Sequence, residues 1–231
     1  MEGFTYVDIF ATKGPEYLLV ISALLTFIFF WKMLSTPAKK VYEVVESIVP
    51  AVGKWFRLPA EGIYFHQGHA WAKMENEDVV NVGIDDFAQK LVGKIDSIEV
   101  PKVGSAVTQG EKGWTLKVDS KSIDMLSPVD GKVLAINRKL VESPESINED
   151  PYGDAWLMKV QVPKVSANLK NLLSGKVAGR WMEEVREDLL SRMNYNLGTV
   201  YQDGGVPVNG IARNLDQEKW DEVAKDFFLT L

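Results

Sequence analysis

Residues 79–107 read VVNVGIDDFAQKLVGKIDSIEVPKVGSAV, and this stretch decides the fold. Val79–Ile84 is a short β-branched segment of the kind that forms a half-buried strand. Asp85–Leu91 is a helical interlude in which Asp85 or Asp86 can cap the first turn, its carboxylate accepting from a backbone N–H two or three residues on. Ile95–Val100 then returns to strand character before Pro101 and Gly104 break it. Working outward, Thr115–Val118 and Val133–Ile136 read as further strands, and Trp156–Val162 alternates as WLMKVQV. Short alternating runs punctuated by Gly, Pro and Asn-Asp pairs are the pattern of antiparallel β structure. The spacing predicts a compact β domain that begins near Leu58.

The composition limits what such a domain can do. The chain has 231 residues with 26 basic and 32 acidic side chains, a net charge of −6, and no nucleic-acid partner is expected because phosphate neutralisation needs a basic face. There are no cysteines, which excludes disulfides, thiolate metal sites and a thiol nucleophile. The two histidines, His66 and His69, fall on opposite faces of a period-two strand, so both are expected to be structural, and no metal site is expected. No nucleophile–base pair or phosphate loop is present, and the chain is not expected to be an enzyme.

The ends differ from the middle. Tyr17–Trp31, YLLVISALLTFIFFW, is a run of fifteen uncharged residues. It is short of the ~20 that span a bilayer, but Lys32 can extend its ammonium outward and let Met33 and Leu34 count. One transmembrane helix is therefore expected over 17–34, after a short non-cytoplasmic tail, 1–16. One lysine precedes the run and five basic residues follow it up to Arg57, which places the N-terminus outside and the β domain in the cytoplasm, on the inner membrane. Val41, Val44, Val45 and Ile48 at helical spacing predict an amphipathic juxtamembrane helix within 35–57. From Lys164 the pattern turns helical: Leu169, Leu172 and Leu173, then Trp181, Val185, Leu189 and Met193 at steps of four. After a break over 194–210, a last amphipathic helix is expected over 216–228, with Trp220, Val223, Ala224, Phe227 and Phe228 on one face. That face, with Trp181, reads as a partner contact.

Several motifs carry a resemblance to a known family. The stretch 79–107, the string NEDPYGDAWLMK (148–159), Tyr64, His69 and Trp71 in YFHQGHAWAK, and SPVDGKV (127–133) resemble the glycine cleavage system H proteins, in the same order along the chain. The resemblance covers 58–174 and implies a mainly β, lipoyl-domain-like flattened barrel-sandwich of two small antiparallel sheets, here with an N-terminal transmembrane helix and a C-terminal helical extension, 175–231. It also implies a carrier rather than a catalyst, with lipoate on a hairpin lysine that swings an aminomethyl group between partner enzymes.

The acceptor position departs from that pattern. Aligned without gaps, the family's glutamate, serine, valine and lysine fall on Lys117, Val118, Asp119 and Ser120, and a serine cannot form a lipoyl amide. Lys121 follows at once, so a one-residue shift at the tip could present it. Two functions are therefore expected of such a chain. The first is a membrane-anchored accessory or scaffold subunit without lipoate, held in a larger membrane complex, respiratory or redox in type, through the membrane helix and through Trp220, Phe227 and Phe228. The alternative is a membrane-tethered carrier with lipoate on Lys121.

Overall fold

The computed structural model describes residues 13–35, 55–59, 61–148, 150–197 and 209–231. By its contacts the chain divides into two compact units, residues 1–50 and 51–231.

The first unit contributes one described element, helix α1 (Lys13–Ser35). Two of its hydroxyls are turned back on its own backbone, Ser22 Oγ donating to the Leu19 carbonyl at 2.9 Å and Thr26 Oγ1 to that of Ser22 at 2.7 Å, which satisfies the polar groups inside its uncharged run. Every large apolar side chain from Tyr17 to Trp31 that is described is exposed. Twenty-three residues rise about 34 Å, so the helix has the length of a bilayer core, but its uncharged run has not. Among the described residues no helix is long and apolar enough to cross a membrane, and the span expected over 17–34 falls short of one in that sense. The helix expected between 38 and 49 lies outside the described residues.

The second unit opens with a docked segment where the sequence predicts the end of a linker. Trp55 is 1% exposed, and the Arg57 backbone N–H and guanidinium both donate to Asp86. Two antiparallel sheets follow. Strands β1 (Tyr64–Phe65), β2 (Ala70–Met74) and β3 (Val79–Ile84) pair in sequence, and β3 continues to β9 (Met158–Gln161), β8 (Gly131–Ile136) and β5 (Ala106–Val107). The second sheet has the order β4 (Ser97–Glu99), β6 (Lys112–Val118), β7 (Lys121–Leu126). The mainly β architecture of antiparallel sheets is the one expected. Val80, Val82 and Ile84 on β3, Leu116 and Val118 on β6, and Ile123 and Met125 on β7 belong to one shared core.

Helix α2 (Asp86–Val92) links the sheets, and Asp85 caps it, Oδ1 accepting from Ala88 N–H at 2.8 Å. Trp71 lies flat against Gly83, where a Cβ would sit 2.6 Å from its ring, and its Nε1–H donates to the Ile84 carbonyl. Short helices α3 (Arg138–Glu142) and α4 (Val165–Leu169) flank β9. Leu172 and Leu173 lie beyond α4: Leu173 exchanges backbone hydrogen bonds with Phe65, so that leucine cluster divides between a helix and an edge bridge.

The C-terminal extension consists of α5 (Gly175–Leu197), α6 (Ile211–Leu215) and α7 (Trp220–Phe227). Its aromatic face does not look outward for a partner. Trp220, Phe227 and Phe228 are buried in the same core as the β strands, with Phe227 5.2 Å from Phe87 and Phe228 5.9 Å from His69 between ring centres. Trp181 likewise packs on His69 at 4.9 Å. The partner contact expected of Trp220, Phe227 and Phe228 is therefore made within the chain. The hydrophobic effect is indifferent to which apolar surface covers a face, and the nearest surface here is the open side of the domain.

Candidate functional site

The site implied by the resemblance is the β6–β7 hairpin. Val118 pairs with Lys121, so the turn consists of Asp119 and Ser120 alone. Asp119 takes the left-handed conformation that such a turn requires (φ 53°), which a short acidic side chain tolerates. Its N–H donates to Asp96 Oδ2 at 2.6 Å, and its carboxylate receives Arg213 Nη2 at 2.6 Å.

This register settles where each candidate residue stands. Ser120, exposed, is at the tip. Lys121 is the first ladder residue of β7, and period-two alternation puts it on the same face as the buried Ile123 and Met125. Its ammonium does not reach freely into solvent. Nζ donates to Asp221 Oδ1 at 2.5 Å and to the Glu218 carbonyl at 3.1 Å, and the side chain is 37% exposed. Asp221 also accepts from Lys225 at 2.9 Å, four residues on along α7. Burial pushes the Asp221 carboxyl upward, but hydrogen bonds from Lys121 and Lys225 outweigh it and hold the group at about 2. It is therefore a carboxylate under all ordinary conditions.

The C-terminal extension positions this carboxylate through apolar and polar attachments. The apolar ones include Ile211 and Ala212 on α6 and Trp220 and Ala224 on α7, all buried in the shared core. Besides the Arg213–Asp119 pair, the polar ones include Arg213 Nη1 donating to the Val92 carbonyl at 3.2 Å and Gly210 N–H to the Lys90 carbonyl at 2.8 Å. Gly93 and Gly210, both at positive φ, approach so closely that a Cβ on Gly93 would lie 2.9 Å from the Gly210 backbone. The extension thus seats on α2 at one end and beside β7, an edge strand, at the other.

A second polar cluster, which sequence reasoning does not anticipate, sits at the start of α2. His69 Nδ1 lies 2.8 Å from Asp85 Oδ2, with both side chains essentially inaccessible. The Tyr152 hydroxyl donates to the Arg57 carbonyl at 2.7 Å and accepts from Asp86 N–H at 3.2 Å. Burial first, and the nearby Asp85 charge second, push that phenol well above its ordinary range. Asp86 is bracketed by Arg57 at 3.0 Å and Lys90 at 2.7 Å. His66 is separate: Nδ1 accepts from Gly68 N–H, and burial followed by the neighbouring His69 lowers its pKa. The two histidines are thus engaged with different partners, and among the described residues no group of histidine and acid side chains is arranged to hold a metal ion. Tyr152 stands in the string quoted for the resemblance; His69 and Asp85 are 16 residues apart, with no local pattern to link them.

The sequence is similar to that of known proteins. Residues 63–185 match the sequence profile described as glycine cleavage H-protein. A probable glycine cleavage system H protein of Pyrococcus abyssi is 36% identical over 125 residues, 54% of this chain and 92% of that protein. The glycine cleavage system H protein of Coprothermobacter proteolyticus is 40% identical over 116 residues, 50% of this chain and 91% of that one. A crystal structure of the H protein from Mycobacterium marinum aligns at 25% identity with a TM-score of 0.48, over 55% of this chain and 98% of that one. α1 and the segment 209–231 lie outside the matched residues. With nearly the whole length of its relatives present in more than half of its own, this chain belongs to the glycine cleavage H-protein family.

Proposed function

We propose that this chain keeps the H-protein fold as a docking module and does not work as a lipoyl carrier. The observation that carries this reading is the capture of Lys121 Nζ by Asp221 and the Glu218 carbonyl, with a serine at the hairpin tip. A swinging arm needs an anchoring amine that is free to be acylated, and an ammonium held in a charge-assisted pair is not. On this reading the chain is an accessory subunit attached to a bilayer beside a larger membrane complex, with the N-terminus outside and the β domain in the cytoplasm. What supports the membrane part is the exposed apolar surface of α1, which has to be covered by something, and the excess of basic residues after it. Because the uncharged run is short, Lys32 would lie near the headgroups with its stem along the acyl chains.

The test is the intact mass of the chain purified from its own membranes, with peptide mapping across 117–132. An unmodified Lys121, in cells whose other lipoyl proteins are modified, is the expected result. A lipoyl increment there would make the chain a tethered carrier, the reading favoured by its family and by a lysine one residue from the tip. Release from washed membranes by alkaline carbonate, without detergent, would overturn the bilayer attachment.

A further inference from the structure

Helix α2 is gripped by two segments from opposite ends of its unit. Residues 55–57 and 209–231 both lie outside the span matched to the family, and both are seated on this one helix. Lys90 binds the two together: its Nζ donates to the Trp55 carbonyl and, at 2.7 Å, to Asp86, while its own carbonyl accepts the Gly210 N–H at 2.8 Å. Phe87, inaccessible to solvent, also meets both, its ring centre 4.9 Å from that of Phe56 and 5.2 Å from that of Phe227.

The seat of 55–57 favours two states over a continuum. Asp86 is 2% exposed, and its carboxylate accepts from the Arg57 backbone N–H at 2.8 Å and from its guanidinium at 3.0 Å. The Tyr152 hydroxyl fastens the same segment through the Arg57 carbonyl. Withdrawal of 55–57 leaves a buried carboxylate with half of its positive partners and vacates the place of Trp55, so the segment leaves as a unit or stays. It also frees the Lys90 side chain and one contact of Phe87, the two residues on which the extension rests. From Gly210 the extension runs to Arg213, which grips Asp119 at the hairpin tip, and on to Asp221, which holds Lys121. Contacts therefore run unbroken from Trp55 through α2 to the hairpin, the physical requirement for coupling between the two places.

We propose that residues 55–57 and the C-terminal extension form a latch across α2. With 55–57 seated, the extension is fixed and the Lys121 ammonium is captured; with 55–57 withdrawn, the extension loosens and the amine is released. Displacement of the chain that precedes Trp55 is thereby transmitted to the hairpin tip. The coupling rests on the Lys121–Asp221 pair and not on the use made of the lysine, so it stands whether or not the chain is a lipoyl carrier.

The test uses the full-length chain in mild detergent and reads three rates in each variant: hydrogen exchange of the Gly210 amide, acylation of Lys121 by an amine-reactive reagent, and hydrogen exchange of the Arg57 amide. Phe56→Ala removes the ring against Phe87. Lys90→Met removes the tie to the Trp55 carbonyl but keeps the backbone carbonyl that Gly210 uses, and its partly exposed side chain makes it the variant to rely on should Phe56→Ala fail to fold. Each is expected to raise the Gly210 and Lys121 rates about fivefold or more. Coupling is reciprocal, so Asp221→Asn, at the other end of the path, should raise the Arg57 rate by a like factor. Val133→Ala, a cavity on β8 in the ladder with β9, measures what general destabilisation does and should leave the three rates near those of the parent. Unchanged Gly210 and Lys121 rates in Lys90→Met, an unchanged Arg57 rate in Asp221→Asn, or equal acceleration by Val133→Ala would each overturn the proposal.

Discussion

Asp221 Oδ1 lies 2.5 Å from Lys121 Nζ although the two residues are 100 positions apart. The pair joins the hairpin on which the family's chemistry depends to a helix that the family profile does not include. Asp221→Asn leaves Lys121 with only the Glu218 carbonyl, and Lys225 without its partner. The expected outcome is a loss of about 1–3 kcal/mol in urea unfolding, together with faster acylation of Lys121 by an amine-reactive reagent, read by peptide mapping. An unchanged acylation rate would mean that the pair does not restrain the lysine.

The depressed pKa of Asp221 has a consequence for acid stability. A carboxyl at about 2 in the folded chain and near its ordinary value when unfolded contributes stability that is fully present above the unfolded pKa and lost as pH falls through the folded one. Unfolding free energy should therefore decline between about pH 4 and pH 2, and Asp221→Asn should flatten that decline. Parallel acid titrations of the two proteins by circular dichroism would show it.

The aromatic face of α7 should behave as core. Trp220→Ala and Phe227→Ala are each expected to cost about 3–5 kcal/mol, and the loss should appear in the purified chain by itself. Should thermal unfolding of the isolated variants match the parent while only copurification of other proteins suffers, the face would be a partner contact after all.

Gly93 meets Gly210 at a distance that admits no side chain, and its φ of 81° disfavours one independently. Gly93→Ala combines the strain of a backbone conformation that favours glycine (φ 81°, ψ −137°), about 1–3 kcal/mol, with displacement of the Gly210 backbone. It should loosen the seat of the extension on α2, seen as faster hydrogen exchange of the Gly210 amide, which donates to the Lys90 carbonyl.

The β domain was legible because its signals are local. Val79–Ile84 forms β3 with the boundaries read from the sequence, and Asp85 caps α2 as its side chain allows. What escaped is long-range or too short to show a period. The apolar stripe of α7 was visible, but a stripe does not say what covers it, and Phe87 is 140 residues from Phe227. Ile211–Leu215 is a five-residue helix between the break read over 194–210 and the helix read over 216–228, less than two turns, where no period can be established. At the candidate site the tip was readable as a departure at Ser120, since the gap-free match to the family's hairpin puts a serine where the resemblance implies a lysine. The restraint on Lys121 was not, since a carboxylate on a distant helix leaves no mark beside the lysine.

The order of synthesis gives the C-terminal closure a further meaning. When the nine described strands have been made, the nascent chain still lacks Ile211, Ala212, Trp220, Phe227 and Phe228, and the core that they complete is open. Every contact that seals it spans a long stretch of sequence, and such contacts form late and slowly. A ribosome-bound intermediate would thus show an apolar face beside Phe87 for the seconds needed to add the last segment at about 5–20 residues per second. Chain termination at any codon before 211 would leave that face permanently uncovered, a species that quality-control proteases and chaperones are built to detect.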